Sequence, residues 1–246
     1  MAGDCCLSWQ DVRNIAGSCI RPGGFLLTER ALQFCSLPRG SHVADIGCGA
    51  GGTLDYLERN GLCDAVGLDY SATLLKEAIP RLASMQLVRG QAESLPFRNS
   101  FFDALFCECV LSVLDERMKA LHESARVLRE GGFLILSDVF AAKSTAPGRP
   151  EAHSHWLGAG EALEKDDLVG FLKESGFSLL LWEEHEILLK EFVATMILAG
   201  VRLSDLWNCS ERSDGTKTGR RELSYFLLVA RKGALQVVAG GGKDGR

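Results

Sequence analysis

The segment from Val43 to Gly52 constrains the fold more than any other part of the chain. It reads Val-Ala-Asp-Ile-Gly-Cys-Gly-Ala-Gly-Gly, a short apolar strand with an acid at Asp45, followed by glycines that open into a helix. Glycine has no Cβ, so the backbone can turn tightly and approach a ligand that a side chain would block. The segment therefore predicts a nucleotide-cofactor site where the first strand of an α/β fold meets the next helix.

Two classes of nucleotide cofactor fit these glycines. Gly47, Gly49 and Gly52 satisfy the pattern G-x-G-x-x-G of dinucleotide-binding folds, so the glycines alone do not separate NAD from other adenosyl ligands. Asp45 does discriminate between them. Its carboxylate would repel a pyrophosphate bound on this turn and attract a ligand that carries ammonium and sulfonium groups. A cationic adenosyl ligand is therefore favoured.

Further segments continue the alternation of strands and helices. Asp69 ends the second strand candidate, 17 residues beyond Gly52, where its carboxylate can accept hydrogen bonds from both hydroxyls of a ribose. Tyr70 follows it and is available to pack against an adenine ring. The strand candidates are residues 42–46, 64–69, 85–89, 103–107, 133–138, 178–182 and 224–230, with helical stretches near 51–59, 71–83 and 115–130. This βαβ rhythm predicts a doubly wound α/β fold with a parallel sheet.

The glycine turn, Asp69, and the segments Leu87–Phe97, Phe101–Cys107 and Arg126–Asp138 together resemble class I S-adenosylmethionine-dependent methyltransferases. The resemblance runs from about residue 21 to residue 190 and is closest to small-molecule enzymes, which include the ubiquinone and menaquinone biosynthesis and arsenite methyltransferases. It implies S-adenosylmethionine as cofactor and methyl transfer to a small organic acceptor. It also implies a Rossmann-like, seven-stranded, mostly parallel sheet with helices on both faces and an antiparallel last strand.

The resemblance also assigns cofactor contacts. Gln91 stands where the family usually has an aspartate, and its amide carbonyl can accept a hydrogen bond from the adenine amino group. Ala92 offers its backbone N–H. Arg21 precedes the first strand and can meet the carboxylate at the methionine end of the cofactor, with a solvated turn arginine as the alternative. The expected cofactor residues are Arg21, Asp45, Gly47, Cys48, Gly49, Asp69, Tyr70, Gln91, Ala92 and Cys107.

Three side chains are candidates for a general base. Methyl transfer from a sulfonium is an in-line displacement, so positioning and exclusion of water can supply most of the acceleration. A hydroxyl or activated-carbon acceptor would benefit from a base, for which Glu108 ranks first, followed by His153 and His155. The alternatives are a cofactor contact or a place at the pocket rim for Glu108, and an exposed loop pair for the histidines. We expect no metal site, because the histidines lack further ligands.

We expect one domain over residues 1–246, with four segments outside its core. An apolar helix over residues 25–35 belongs to the first segment, and the second leaves the carboxyl end of the fifth strand, where open α/β sheets bind their ligands. The four segments are an N-terminal helical segment (1–40), a substrate lid (139–163), a helical insertion (185–220) and a flexible glycine-rich tail (233–246).

Charge and composition limit the partners. The formal net charge is −5 and the pI is near 5.6, with dispersed lysines and arginines, so we expect no nucleic-acid partner. No stretch approaches the roughly 18 apolar residues of a membrane span, and the N-terminus is acidic, so no membrane association and a cytoplasmic location are expected. The nine cysteines lack the spacing of a zinc site or disulfide scaffold and are expected to be mostly reduced core residues. The oligomeric state stays open.

Other functions compete with methyl transfer to an organic acceptor. A protein could keep the cofactor fold and act as a non-catalytic partner or regulator. An NAD-dependent dehydrogenase is disfavoured by Asp45. A metalloid methyltransferase is an outside alternative, because Cys109 falls where arsenite methyltransferases carry a metalloid thiolate, but Trp156 stands at the position of a second cysteine. Trp156 favours an apolar wall for an organic acceptor.

Overall fold

The computed structural model describes residue 15 and residues 19–61, 63–82, 85–143, 163–201 and 222–233. Within these residues one sheet contains the strands β1 (Ser41–Ile46), β2 (Cys63–Asp69), β3 (Gln86–Arg89), β4 (Phe102–Glu108), β5 (Leu128–Lys143), β6 (Leu163–Glu164), β7 (Phe177–Glu184) and β8 (Glu222–Lys232). The described α-helices are α1 (Leu26–Cys35), α2 (Gly52–Arg59), α3 (Ala72–Ala78), α4 (Arg117–Val127), α5 (Lys165–Glu174) and α6 (Glu186–Leu198). A short 3₁₀ helix, Leu111–Val113, follows β4.

The strand order confirms the predicted sheet. It is β3-β2-β1-β4-β5-β8-β7, with the two-residue strand β6 beside β5. Strands β1 to β5 pair in parallel, whereas β8 runs antiparallel to both β5 and β7. The sheet is therefore mostly parallel with an antiparallel last strand. The short strand β6 is the one strand beyond the seven expected from the sequence.

Alternate side chains of β4 enter two apolar cores on opposite faces of the sheet. Leu105 and Cys107 belong to the core that also contains Leu121 of α4 and Leu168 of α5. Phe106 belongs to the other core, which contains apolar side chains of α1, α2, α3 and α6. All residues of β4 are buried, as is typical of a central parallel strand covered on both faces. Helices therefore cover both faces, as predicted.

Strand β5 differs from its predicted boundaries. Helix α4 ends at Val127 instead of continuing to residue 130, and β5 begins at once with Leu128. The pairing with β4 ends at Ser137, and the strand continues to Lys143 because β8 pairs with it in antiparallel and β6 pairs with Phe140 and Ala141 in parallel. Gly131, with φ of +74°, lies in an irregularity of the β4 pairing and does not end the helix.

The extended β5 also changes the expected lid. Residues 139–143 are part of the strand, and Leu163 belongs to β6, so both ends of the expected lid lie in the sheet. Residues 144–162, with His153, His155 and Trp156, lie outside the described residues, as do residues 202–220 of the expected insertion. Among the residues that the structure describes, no helix is both long and apolar enough to cross a bilayer.

The topology opens a crevice beside β1. From β1 the strand order continues to β2 and β3 on one side, and to β4 and β5 on the other. Loops that leave the carboxyl ends of β1 and β4 therefore diverge, and ligands of open α/β sheets bind at such a point. The predicted glycine turn lies there, between β1 and α2.

Candidate functional site

A cavity of about 510 Å³ lies at the carboxyl ends of β1 to β4. Asp45 lies between its two sides. The glycine side is formed by residues 47–50, 52, 53, 68–71, 74 and 90–93. The β4 side is formed by residues 19–21, 108–110 and 113–115. One cavity thus joins the glycine turn to the residues that follow β4.

The glycine turn presents backbone to the cavity. Gly47 and Gly49 have φ values of +75° and +53°, which side chains rarely adopt. A Cβ added at Gly47 would collide with Val110, so this position needs glycine for packing. A Cβ at Gly49 would meet only Leu74, at 4.0 Å. The space beside the Gly49 Cα is therefore part of the cavity and is not filled by a neighbouring side chain.

Asp69, at the end of β2, is held by two backbone N–H groups. Gly49 N donates to its Oδ2 and Ser71 N donates to its Oδ1, each over 2.7 Å. The side chain is therefore fixed beside the glycine turn on the cavity wall. Each carboxylate oxygen has a further lone pair, so both can still accept a hydrogen bond from a ligand hydroxyl.

The loop after β3 forms the far end of the glycine side. Gln91 and Ala92 line the cavity there, and Tyr70 lies at the same end with 67% of its surface exposed. The loop is attached to α4, because Leu95 N donates a 2.7 Å hydrogen bond to Glu123 Oε2. An open, fixed rim of this kind can receive a flat ring between the loops that follow β2 and β3.

The β4 side contains a buried ion pair that sequence patterns do not reveal. Arg21 Nη1 lies 2.7 Å from Glu108 Oε2, and the two side chains are 10% and 3% exposed. Thr28 Oγ1 donates to Glu108 Oε1 over 2.9 Å, and Thr53 Oγ1 donates to Glu108 Oε2 over 2.7 Å. Arg21 in turn donates to both threonine hydroxyls. The alternative of a solvated turn arginine is therefore wrong.

Asp45 is buried on the cavity floor, with 3% of its surface exposed. Burial raises the pKa of its carboxyl well above the ordinary value, and the nearby acids Glu108 and Asp69 raise it further. Arg21 acts in the opposite direction but does not reverse the shift. A bound cation would favour the ionised carboxylate, so the floor of the cavity is suited to a positively charged ligand group.

Two cysteines of β4 and its loop have different surroundings. Cys107 is buried in the apolar core and does not line the cavity, so its predicted cofactor contact does not fit the geometry. Cys109 does line the cavity, with φ of +57°, and its Sγ lies 3.0 Å from the Tyr225 hydroxyl. Burial raises the pKa of the Cys109 thiol, which therefore stays protonated near neutral pH.

The structure brings together nine of the ten expected cofactor residues, all except Cys107. Glu108 lies at the same cavity, whereas His155 lies outside the described residues. Sequence reasoning missed Thr28 and Thr53. Each lies in the first turn of a helix, Thr28 in α1 and Thr53 in α2, and Thr53 also lines the cavity, so a hydroxyl in the first helical turn is the signal that could have indicated them. The described residues hold no cluster of three or more side chains suited to a metal ion.

Comparison with known protein families identifies residues 44–136 as a methyltransferase domain. The match covers these residues alone, which are less than half of the chain. The matched segment begins in β1, ends in β5 and contains the glycine turn, Asp69 and the loop after β3. Over these residues the match agrees with the predicted resemblance to methyltransferases.

Several known proteins are similar to parts of this chain. A malonyl-[acyl-carrier protein] O-methyltransferase of Enterobacter lignolyticus is 32% identical over 123 residues, covering 50% of this chain and 47% of that protein. A tRNA (carboxymethyluridine(34)-5-O)-methyltransferase of Arabidopsis thaliana is 32% identical over 139 residues, covering 52% of this chain and 33% of that protein. The chain therefore spans half or less of the length of these two relatives.

A solved structure extends the comparison beyond the matched segment. Phosphoethanolamine N-methyltransferase 2 of Haemonchus contortus, in complex with S-adenosyl-L-methionine, superposes with a TM-score of 0.70 at 17% identity. The superposition covers 91% of this chain and 56% of that chain. At this level of identity the likeness concerns the fold, which is shared over most of the present chain.

Proposed function

We propose that the protein transfers a methyl group from S-adenosylmethionine to a small-molecule acceptor. The observation that carries this proposal is the pair formed by Asp69 and Gly49 on one cavity wall. A fixed carboxylate stands beside backbone that leaves room for a ligand. This geometry suits the ribose of an adenosyl cofactor, and the family match supplies the class of reaction.

The charge distribution favours this cofactor over a dinucleotide. Asp69 lines the glycine side and Asp45 lies on the floor of the cavity. A dinucleotide would place its pyrophosphate close to both carboxylates, which would repel it. The sulfonium and ammonium groups of S-adenosylmethionine are attracted by the same carboxylates. In this proposal Gln91 and Ala92 border the adenine, Asp69 binds the ribose, and Asp45 and Arg21 lie near the methionine end.

We assign Glu108 a positioning role in place of the base suggested by the sequence. Its two oxygens accept hydrogen bonds from Thr28 and Thr53, and one of them is paired with Arg21. A carboxylate with these partners is poorly placed to take a proton from an acceptor. Glu108 therefore orients Arg21 at the cavity, while the displacement itself depends on alignment and exclusion of water.

The class of acceptor, the cellular location and a non-catalytic role are further parts of the proposal. A tRNA methyltransferase among the relatives keeps nucleic acid open as a class of acceptor, but the acidic cavity and the formal charge of −5 favour a small molecule. The cytoplasmic location expected from the sequence stays a prediction. A non-catalytic partner role has no observation in its favour.

Calorimetric titration with S-adenosylhomocysteine, with NADH as the control ligand, tests the proposal. We expect micromolar binding of S-adenosylhomocysteine and none of NADH. Radiolabelled S-adenosylmethionine then tests for methyl transfer to a panel of small molecules and, separately, to total tRNA. Binding of NADH alone would overturn the cofactor, label in tRNA alone would overturn the acceptor class, and cofactor binding without transfer to either would favour the non-catalytic alternative.

A further inference from the structure

The charged side chains of the cavity are strongly unbalanced. Among the described residues that line it, five are acids and one, Arg21, is a cation. The acids are Asp45, Asp69, Glu93, Glu108 and Asp115. Arg21 is already paired with Glu108 and bonded to two threonines, so its charge is balanced inside the protein. The cavity therefore offers an anion no free positive partner among these residues.

The β4 side also has an apolar wall. Ile20, Val110, Val113 and Leu114 line it, and Val113 is 46% exposed although it is a large apolar side chain. An exposed apolar side chain at a cavity mouth gains free energy when an apolar ligand covers it. Asp115 follows this wall directly and is exposed. The mouth on the β4 side is thus apolar with one acidic group.

We infer that the methyl acceptor is a small molecule with an apolar body and no negative charge. The inference rests on the proposed function, which places the adenosine of the cofactor on the glycine side and its methionine end near Asp45 and Arg21, and leaves the apolar wall and Asp115 for the acceptor. Asp115 attracts a cationic group and does not repel a neutral one, whereas a carboxylate or phosphate would meet like charge at the mouth. The same repulsion excludes a polyanionic acceptor.

The test uses the full chain saturated with S-adenosylhomocysteine and three probes that share one apolar ring. The probes are benzylamine, benzyl alcohol and benzoate, and saturation-transfer NMR titration measures the Kd of each. We expect benzylamine and benzyl alcohol to bind at least about tenfold more tightly than benzoate. Equal or tighter binding of benzoate would overturn the inference, and so would the absence of binding by all three probes.

A charge reversal at the mouth sharpens this test. Asp115→Lys should improve benzoate binding about tenfold and weaken benzylamine binding, because the single acid next to the apolar wall becomes a cation. Glu116→Lys is the matched control: Glu116 is the next residue, has a side chain that is 64% exposed and does not line the cavity. The control should leave the order of the probes unchanged. An identical effect of both variants would show a general charge effect and overturn the role of Asp115.

Failure of the two proposals is distinguishable. If S-adenosylhomocysteine does not bind to the wild-type chain, the proposed function fails and the inference about the acceptor falls with it. If S-adenosylhomocysteine binds but the probes show no preference against negative charge, only the acceptor class is wrong.

Discussion

The glycine side of the cavity is built from backbone, whereas the β4 side is built from side chains. On the glycine side, backbone N–H groups fix Asp69, and Gly49 leaves space that no side chain fills. On the β4 side, Glu108 is held by Thr28, which lies 80 residues away in sequence. The first arrangement follows from local sequence, while the second exists only after distant segments have packed together.

The largest effect is expected from breaking the side-chain network. Glu108→Ala leaves Arg21 buried without its ion-pair partner and should lower the free energy of unfolding by about 3 kcal/mol. Urea denaturation followed by circular dichroism measures this change. Glu116→Ala, at an exposed position, is the control and should change stability by less than about 0.5 kcal/mol.

A double variant separates the ion pair from other effects. Arg21→Met combined with Glu108→Gln removes both charges, so it should recover much of the stability lost by Glu108→Ala. If the double variant were as unstable as Glu108→Ala, the hydrogen bonds of Glu108 with Thr28 and Thr53, and not its charge, would stabilise the β4 side.

On the glycine side, Gly49→Val should weaken S-adenosylhomocysteine binding about a hundredfold, since a branched side chain would occupy cavity space at a position with positive φ. Gly61→Val is a matched control, because Gly61 has a similar φ of +58° and its Cβ would meet nothing within 4 Å. Calorimetry should find normal binding in the control despite comparable backbone strain. Equal loss in both variants would mean that strain, and not ligand space, explains the effect.

Asp69→Ala should weaken binding at least about thirtyfold by removing two potential ribose contacts, each worth about 1 kcal/mol or more. The control is Asp64→Ala on the same strand, where the side chain is 76% exposed. The same calorimetric titration compares the two variants. Wild-type affinity in Asp69→Ala would contradict the assignment of the glycine side to the cofactor.

The smallest effect concerns pH. The pKa of Asp45 is raised in the folded protein, so the folded state holds its proton more strongly than the unfolded state. Stability contributed by the protonated group is present at low pH and is lost as the pH rises above about 4 towards the folded pKa. Asparagine does not titrate, so Asp45→Asn should not lose stability in this way. The free energy of unfolding of the variant minus that of the wild type should therefore increase with pH. Thermal denaturation between pH 4 and 8 measures the difference, and a constant difference would contradict the raised pKa.

The glycine side could be predicted because its chemistry is carried by neighbouring residues. A parallel sheet brings the carboxyl ends of β1 and β2 to the same edge. These strand ends carry Asp45, Gly47, Gly49 and Asp69. The ion pair of Arg21 and Glu108 could not be predicted, because the sequence around either residue does not indicate which distant residue it contacts. Cys107 was misplaced for a related reason, since one residue along a strand changes the face of the sheet.

The fold shows the same division. The parallel half of the sheet was predicted from the alternation of strands and helices, which is a local signal. The length of β5 was not, because residues 139–143 are strand through pairing with β8, which lies about 80 residues later in the chain, and in part with β6. At the start of β5, pairing of Leu128 with Phe102 of β4 likewise overrides the local turn signal of Gly131.

The hydrogen bonds of Arg21 and Thr28 have a consequence for protein engineering. Both residues precede position 44, where the family match begins, yet both hold Glu108 in the cavity. A chimera that exchanged only residues 44–136 would transplant the carboxylate without its cation and one of its hydroxyls. The interchangeable module therefore has to begin before residue 21, upstream of the first strand.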